Sequence, residues 1–144
     1  MRDNKSVVAV GGGMDPVHVG HIRHFREAKK LGDILVVMLQ TDRWLVEKKG
    51  YFFMPFEERK EIIESIKHVD EVIPVIDTDT TVAKTLELLK PDIFAKGGDR
   101  TLDTLPKKEI EVCNRLGIKI VFGVGGRKVQ SSSWLINKFK QKKV

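Results

Sequence analysis

The chain has 144 residues, is 41% hydrophobic and 32% charged, and carries a formal net charge of +6. That length suits one hydrophobic core and that balance suits a soluble protein, and since no apolar run is longer than a strand, a membrane span is excluded. The start MRDNKS lacks the apolar core of a secretory signal, and the lone cysteine, Cys113, excludes an internal disulfide, so a reducing cytoplasm is expected.

Residues 7–10, VVAV, are predicted to form a buried strand. Three glycines follow, then Asp15-Pro16, then His18 and His21 where a helix should begin. That helix, over 20–31, turns Ile22, Phe25, Ala28 and Leu31 to the core and closes at Gly32-Asp33. ILVVML, 34–39, is a second buried strand. The polar stretch TDRWLVEKKGYFFM, 41–54, is predicted as a loop. Pro55 then opens a helix with Glu57 and Glu58 in its first turn, where the helix dipole favours acids, and it runs through Ile62, Ile63 and Ile66 to Lys67. A strand over 71–76, a helix over 81–89, a strand over 92–95, a helix over 106–116 and a strand over 118–122 follow, and a last helix starts near Ser131.

This alternation predicts an α/β, Rossmann-like doubly wound parallel sheet of about five strands with helices on both faces. With no linker or internal repeat, residues 1–144 are expected to form one domain. In such sheets ligands bind at the carboxyl ends of the strands. The segments 11–21, 41–49, 96–100 and 123–133 all lie there.

A pI near 9.5 raises a nucleic-acid reading. The excess charge, however, sits in the tail NKFKQKKV and in Lys29-Lys30 and Lys107-Lys108, with no interleaved aromatics, so nucleic acid is not an expected partner. A basic balance also suits ligands that carry phosphates.

A strand that empties through glycines into a helix start is suited to phosphate: glycine admits close backbone approach, and the helix start offers free N–H groups. GGGMDP is not the dinucleotide fingerprint, because the third glycine of G-x-G-x-x-G would fall at Pro16, and no G-K-[ST] follows. His18, His21 and His24 are spaced three apart but share their face with no cysteine or obvious carboxylate, so no metal-ligand set is predicted. The residues alone leave two readings of these histidines: donors to a ligand, or groups that satisfy the backbone at the helix start.

GGGMDPVHVGH resembles the signature of the cytidylyltransferase-like nucleotidyltransferases, a strand followed by G-x-F-D-x-x-H-x-G-H, with Asp15, His18, Gly20 and His21 at the matching spacing. FEERKEIIESIKHVDEVIP is similar to the arginine-bearing segment of glycerol-3-phosphate cytidylyltransferases that ends in V-D-E-V-I-P. FAKGGDR resembles the K-G-G-D segment of the adenylyltransferase domain of ADP-heptose synthases. GRKVQSSSWLI stands where the family places R-T-x-G-I-S-T. Gly13 replaces a small hydroxyl residue of the pattern, Met14 its aromatic, and Lys128 its threonine.

The resemblance implies attack by a phosphate monoester on the α-phosphate of a nucleoside triphosphate, with pyrophosphate leaving. A monoester is already largely anionic at neutral pH, so no general base is required. His18, His21, Lys48 and Arg127 are the implied catalytic groups. Gly11, Gly12, Gly13, Met14, Asp15, Gly20, Lys49, Lys96, Gly97, Gly98, Asp99, Ser131 and Ser132 are the implied nucleotide contacts, and Arg59, Lys67 and Asp70 the acceptor contacts. CTP with a polyol phosphate is the first expectation, and ATP with a heptose phosphate the second. Mg²⁺ is expected on phosphate oxygens with few protein ligands. A non-catalytic nucleotide sensor is the rival class, and the presence of both His18 and His21 argues against it. The 41–54 loop is expected to be mobile until Lys48 or Lys49 meets the triphosphate. Trp44, Tyr51, Phe52 and Phe53 suggest an interface, and a homodimer is expected.

Overall fold

The structure, a computed structural model, describes residues 3–141. The first two residues and the last three of the basic tail lie outside the described residues. Five strands, β1 (Val7–Gly12), β2 (Ile34–Leu39), β3 (Glu71–Pro74), β4 (Ile93–Ala95) and β5 (Lys119–Val121), form one parallel sheet in the order β3-β2-β1-β4-β5. The pairing aligns Val8 with Leu35 on one side and with Ile93 on the other. The chain winds outward from β1 to β3, then crosses back to place β4 beside β1. The crevice at that reversal, above the carboxyl ends of β1 and β4, is where such sheets hold ligands.

Strand period two divides the core. Val8, Val10, Leu35 and Val37 face α1 (Val19–Lys29) and α3 (Phe56–Glu64) through Phe25, Ala28 and Ile63. Ala9, Met38 and Phe94 face α4 (Ala83–Leu89) and α5 (Lys107–Leu116) through Leu86, Val112 and Cys113. Phe25 and Phe94 are fully buried, each contributing about 1.5–3 kcal/mol relative to exposure. The expected doubly wound fold is therefore what forms. Among the described residues no helix is long and apolar enough to cross a membrane.

The 41–54 stretch differs from expectation. It holds a helix, α2 (Asp42–Lys49), which Thr41 caps by accepting from the Trp44 N–H at 3.2 Å and which Gly50 ends in the left-handed region at φ 85°. Leu45 anchors it, fully buried. The polar composition that suggested a loop is the solvated face of this short helix.

Two expected acceptor contacts lie at the wrong end of the sheet. Asp70 precedes β3, accepts from the Leu35 N–H at 2.8 Å and pairs with Lys29. Asp92 does the same for the Val7 N–H at 2.8 Å. These carboxylates satisfy N–H groups in the first two residues of neighbouring strands, at the amino edge. Lys67, exposed in the turn after α3, sits at that edge too. Both are too far along the strands to meet a ligand at the carboxyl edge.

Candidate active site

A cleft of about 500 Å³ opens above β1 and β4. The structure brings Gly11, Gly13, Met14, His18, Gly20, His21, Lys48, Lys49, Lys96, Gly97, Gly98, Asp99, Arg127, Ser131 and Ser132 around it. Gly12, Asp15, Arg59, Lys67 and Asp70 do not line it. Seven lysine and arginine side chains line it against one carboxylate, Asp99, an excess of positive charge that suits a polyanion.

Two helix starts meet there. His18 is the N-cap of α1: its Nδ1 accepts from the Gly20 N–H at 3.0 Å, while Nδ1 of His21 accepts from the His18 N–H at 3.1 Å. A backbone N–H only donates, so in both rings Nδ1 holds the lone pair and Nε2 carries the proton. The two sequence readings of these histidines therefore combine. One nitrogen of each ring satisfies the backbone, and the other remains a neutral donor. α6 (Ser132–Gln141) begins alongside. Ser131 accepts from the Trp134 N–H at 3.0 Å, which makes it the cap of α6, and the Ser132 hydroxyl donates to the Pro16 carbonyl at 2.7 Å, tying α6 to the β1–α1 loop.

Burial holds His21 down to about 3, helped by His18, His24 and Lys49, and burial also lowers His18 and His24. All three rings are neutral near pH 7. The sign of the linkage follows: below the ordinary histidine value of about 6.5 the unfolded chain takes up protons that the folded one refuses. Stability from these groups is complete above that value and is lost as pH falls below it. The thermal midpoint of the free protein is expected to drop between pH 7.5 and 5.5. Asp79, held at about 2, titrates too low to contribute in that window. A midpoint that holds constant across it contradicts the neutral-histidine arrangement.

The loops after β4 and β5 interlock. The Lys96 N–H donates to the Val121 carbonyl at 2.8 Å, and the Val124 N–H to the Lys96 carbonyl at 3.0 Å. A Cβ at Gly98 would collide with the Gly126 carbonyl oxygen. His24, missed as a site residue although its spacing placed it one turn beyond His21, pairs its Nδ1 with the Val124 carbonyl at 2.7 Å. A carbonyl only accepts, so here Nδ1 carries the proton. Gly125, at φ 94°, packs where a Cβ would stand 2.8 Å from the His24 Cα. Arg23, Arg100 and Trp44 also line the cleft. Trp44 was read only as an interface aromatic; its ring lies 4.6 Å below the Lys48 ammonium.

Gly20 offers a clean test of His18 placement. An alanine Cβ there would stand 2.8 Å from Cε1 of the His18 ring and force it aside. Alanine favours helix over glycine by about 1 kcal/mol. Displacing the His18 ring also loses its cap on α1, about 1 kcal/mol, so Gly20→Ala is expected to leave the melting temperature near the wild-type value while lowering turnover about a hundredfold, the cost of an ångström-scale misplacement. Unchanged turnover would show that the ring position is not used.

Arg59 and Asp15 are corrections. Arg59 is fully buried: Nε donates to the Met54 carbonyl, one terminal nitrogen to the Gly13 and Gln40 carbonyls, each at 2.8 Å, and the other to Asp42 at 2.7 Å. With four of its five N–H donors committed to the protein, it has no fork left for an acceptor phosphate. Asp15, also fully buried, accepts from the Phe53 and Met54 N–H groups, the latter at 2.6 Å. It holds the α2–α3 connection to the signature loop. Lys49 reaches the same place, donating to the Asp15 carbonyl at 3.3 Å.

The chain is similar to several known proteins. An FAD synthase of Ferroglobus placidus is 41% identical over 99 residues, 69% of this chain and 62% of its own length. The bifunctional protein HldE of Citrifermentans bemidjiense is 36% identical over 136 residues, 93% of this chain but 27% of HldE. The chain thus spans under two thirds of the first relative and about a quarter of the second. The crystal structure of a lipopolysaccharide core biosynthesis protein from Thermoplasma volcanium superposes with a TM-score of 0.72 at 32% identity, covering 88% of this chain and 100% of that one. The family model for Cytidylyltransferase-like proteins matches residues 9–136. With the signature histidines, the switch-point cleft and this match in agreement, the chain belongs to the cytidylyltransferase-like family.

Proposed function

We propose that this chain transfers AMP from ATP to a small phosphorylated acceptor, releasing pyrophosphate. The observation that carries the transferase reading is the convergence of two Nε2–H donors and two helix starts on one cationic cleft. An acceptor phosphate oxygen attacks the α-phosphorus, the bond from that phosphorus to the bridging oxygen breaks, and pyrophosphate leaves with the electron pair. His18 and His21 donate to phosphate oxygens as charge develops. Lys48, Lys49 and Arg127 offset the charge of the triphosphate. This is catalysis by positioning and electrostatics, with no proton abstraction.

The choice of ATP rests on the relatives. FAD synthase is named for a product that carries an adenylyl group, and FAKGGDR resembles the adenylyltransferase domain of ADP-heptose synthases. The CTP and polyol pairing suggested by VDEVIP finds no support among them. Pyrophosphate release measured across ATP, CTP, GTP and UTP, with glycerol 3-phosphate, sugar phosphates and FMN as acceptors, tests the reading. ATP is expected to lead. Preference for CTP would restore the first expectation, and release that needs no acceptor would remove the transferase.

Mg²⁺ fits as a companion of the nucleotide. Among the described residues no three His, Cys, Asp or Glu side chains are arranged to hold a metal. The one carboxylate in the cleft, Asp99, pairs with Lys128 at 3.6 Å. When bound, Mg²⁺ on the phosphate oxygens neutralises part of their charge. The buried thiol of Cys113 suits a reducing cytoplasm.

A homodimer remains part of the proposal. Phe52 and Phe53 are exposed, as are Val19, Trp134 and Phe139. Large exposed apolar residues in one region favour an interface. Sedimentation at micromolar protein is expected to give a dimer, and Phe53→Glu a monomer. A wild-type monomer, with or without ATP, would end this part of the account.

A further inference from the structure

A second cavity, of about 320 Å³, opens off the cleft between α2 and the amino end of α5. The two share Trp44, Lys48, Lys96 and Arg100; beyond these the chamber is lined by Thr80, Thr104 and Glu109 among others. Glu109 is 4% exposed. Its Oε2 accepts from the Val82 N–H at 3.1 Å, but Oε1 is buried with no hydrogen-bond partner, the one such side-chain atom among the described residues. Leaving a buried acceptor unpaired is unfavourable, more so for a charged group. Lys96 forms the shared wall. Its ammonium lies 4.6 Å from the Phe94 ring centroid and makes no hydrogen bond among the described residues. The two groups sense each other's charge but do not pair.

An unpaired carboxylate oxygen and an unpaired ammonium on one chamber call for a group that both donates and accepts. A hydroxyl does both, and a polyol or sugar carries several. A phosphate is repelled by Glu109. The chamber also adjoins the cleft through Lys48, Lys96 and Arg100, where the phosphates of two substrates must meet.

We infer that this chamber receives the hydroxyl-bearing end of the acceptor, with Glu109 accepting from one acceptor hydroxyl and Lys96 donating to another. This rests on the transferase reading and assigns its acceptor to hydroxyl-bearing phosphates. Glu109 is then the residue that sets acceptor specificity.

The test pairs two variants. Glu109→Gln keeps the shape and the bond from the Val82 N–H but removes the charge; Thr80→Phe narrows the chamber from an exposed position and leaves residue 109 a glutamate. Circular dichroism checks that both fold. The acceptors are glycerol 3-phosphate, ribose 5-phosphate, glucose 1-phosphate and FMN, and ATP binding is measured separately by calorimetry. Both variants are expected to raise KM for the hydroxyl-rich acceptor about ten- to hundredfold, the loss of a hydrogen bond to a charged group. ATP affinity is expected to stay within about twofold, below the tenfold that one such bond is worth. Unchanged acceptor KM in both variants overturns the inference alone. So does weakened ATP binding with intact acceptor KM, which places the nucleotide base in the chamber. A wild-type protein that binds no triphosphate overturns the transferase reading as well, and that result appears before any variant is made.

Discussion

Replacing His21 by alanine is expected to lower turnover by about a hundredfold or more, as loss of one donor to a developing oxyanion does. His21 lines the cleft, and its Nδ1 is held by the His18 N–H, so Nε2–H is a donor fixed before the substrate arrives. From sequence alone the substitution should spare stability. The hydrogen bond to His18 changes that: it forms half of a reciprocal cap on α1, and its loss is expected to cost about 1 kcal/mol. Steady-state kinetics and thermal denaturation separate the two effects. Because His18 loses the partner of its own N–H, His18→Ala and His21→Ala are expected to be less than additive in the double variant. Full activity in His21→Ala would take the residue out of the chemistry.

Replacing Arg59 by alanine is expected to destabilise the fold by about 3–5 kcal/mol, the range for breaking a buried charged network. One guanidinium joins the carbonyls of Gly13, Gln40 and Met54 and the carboxylate of Asp42. These four belong to the β1–α1 loop, the end of β2, the entry to α3 and the start of α2. Its loss leaves all four without that donor, and one of them, Gly13, lines the cleft. Lysine keeps the charge but lacks the fork, so Arg59→Lys is expected to recover only part of the stability. Urea unfolding measures both. If Arg59 bound the acceptor phosphate instead, Arg59→Lys would unfold like the wild type and raise the acceptor KM.

The fold was largely legible in the sequence. ILVVML could be read to the residue as β2, because a central strand of a parallel sheet is apolar on both faces and shows as an unbroken run. Short edge elements were less clear: β3 stops at Pro74, two residues before the apolar pattern does. α2 was hidden because one buried leucine is all that anchors it. At the site, backbone-linked features could be read and long-range side-chain contacts could not. The glycines, the two signature histidines and the loops after β1, β4 and β5 all announce themselves by spacing. Nothing local tells that Arg59 folds back across 46 residues to Gly13, or that Asp70 caps a strand 35 residues earlier. A charged residue in a family-like segment looks the same whether its partner is a ligand or the chain's own backbone. Glu109 was passed over for the same reason: in sequence it is a favourable acid in a helix first turn, and only the fold leaves one of its oxygens unpaired beside Lys96.

The central claim is that the cleft above β1 and β4 moves a nucleotidyl group from the α-phosphate. Position-labelled ATP tests it most directly. The protein is incubated with ATP carrying ³²P at either the α or the γ position, together with a hydroxyl-rich phosphorylated acceptor, and the products are separated. The account predicts that α-label appears in the acceptor product and γ-label in pyrophosphate, and that both signals fall together in His21→Ala. γ-label on the acceptor, or γ-label released as free phosphate with no labelled acceptor, would contradict it.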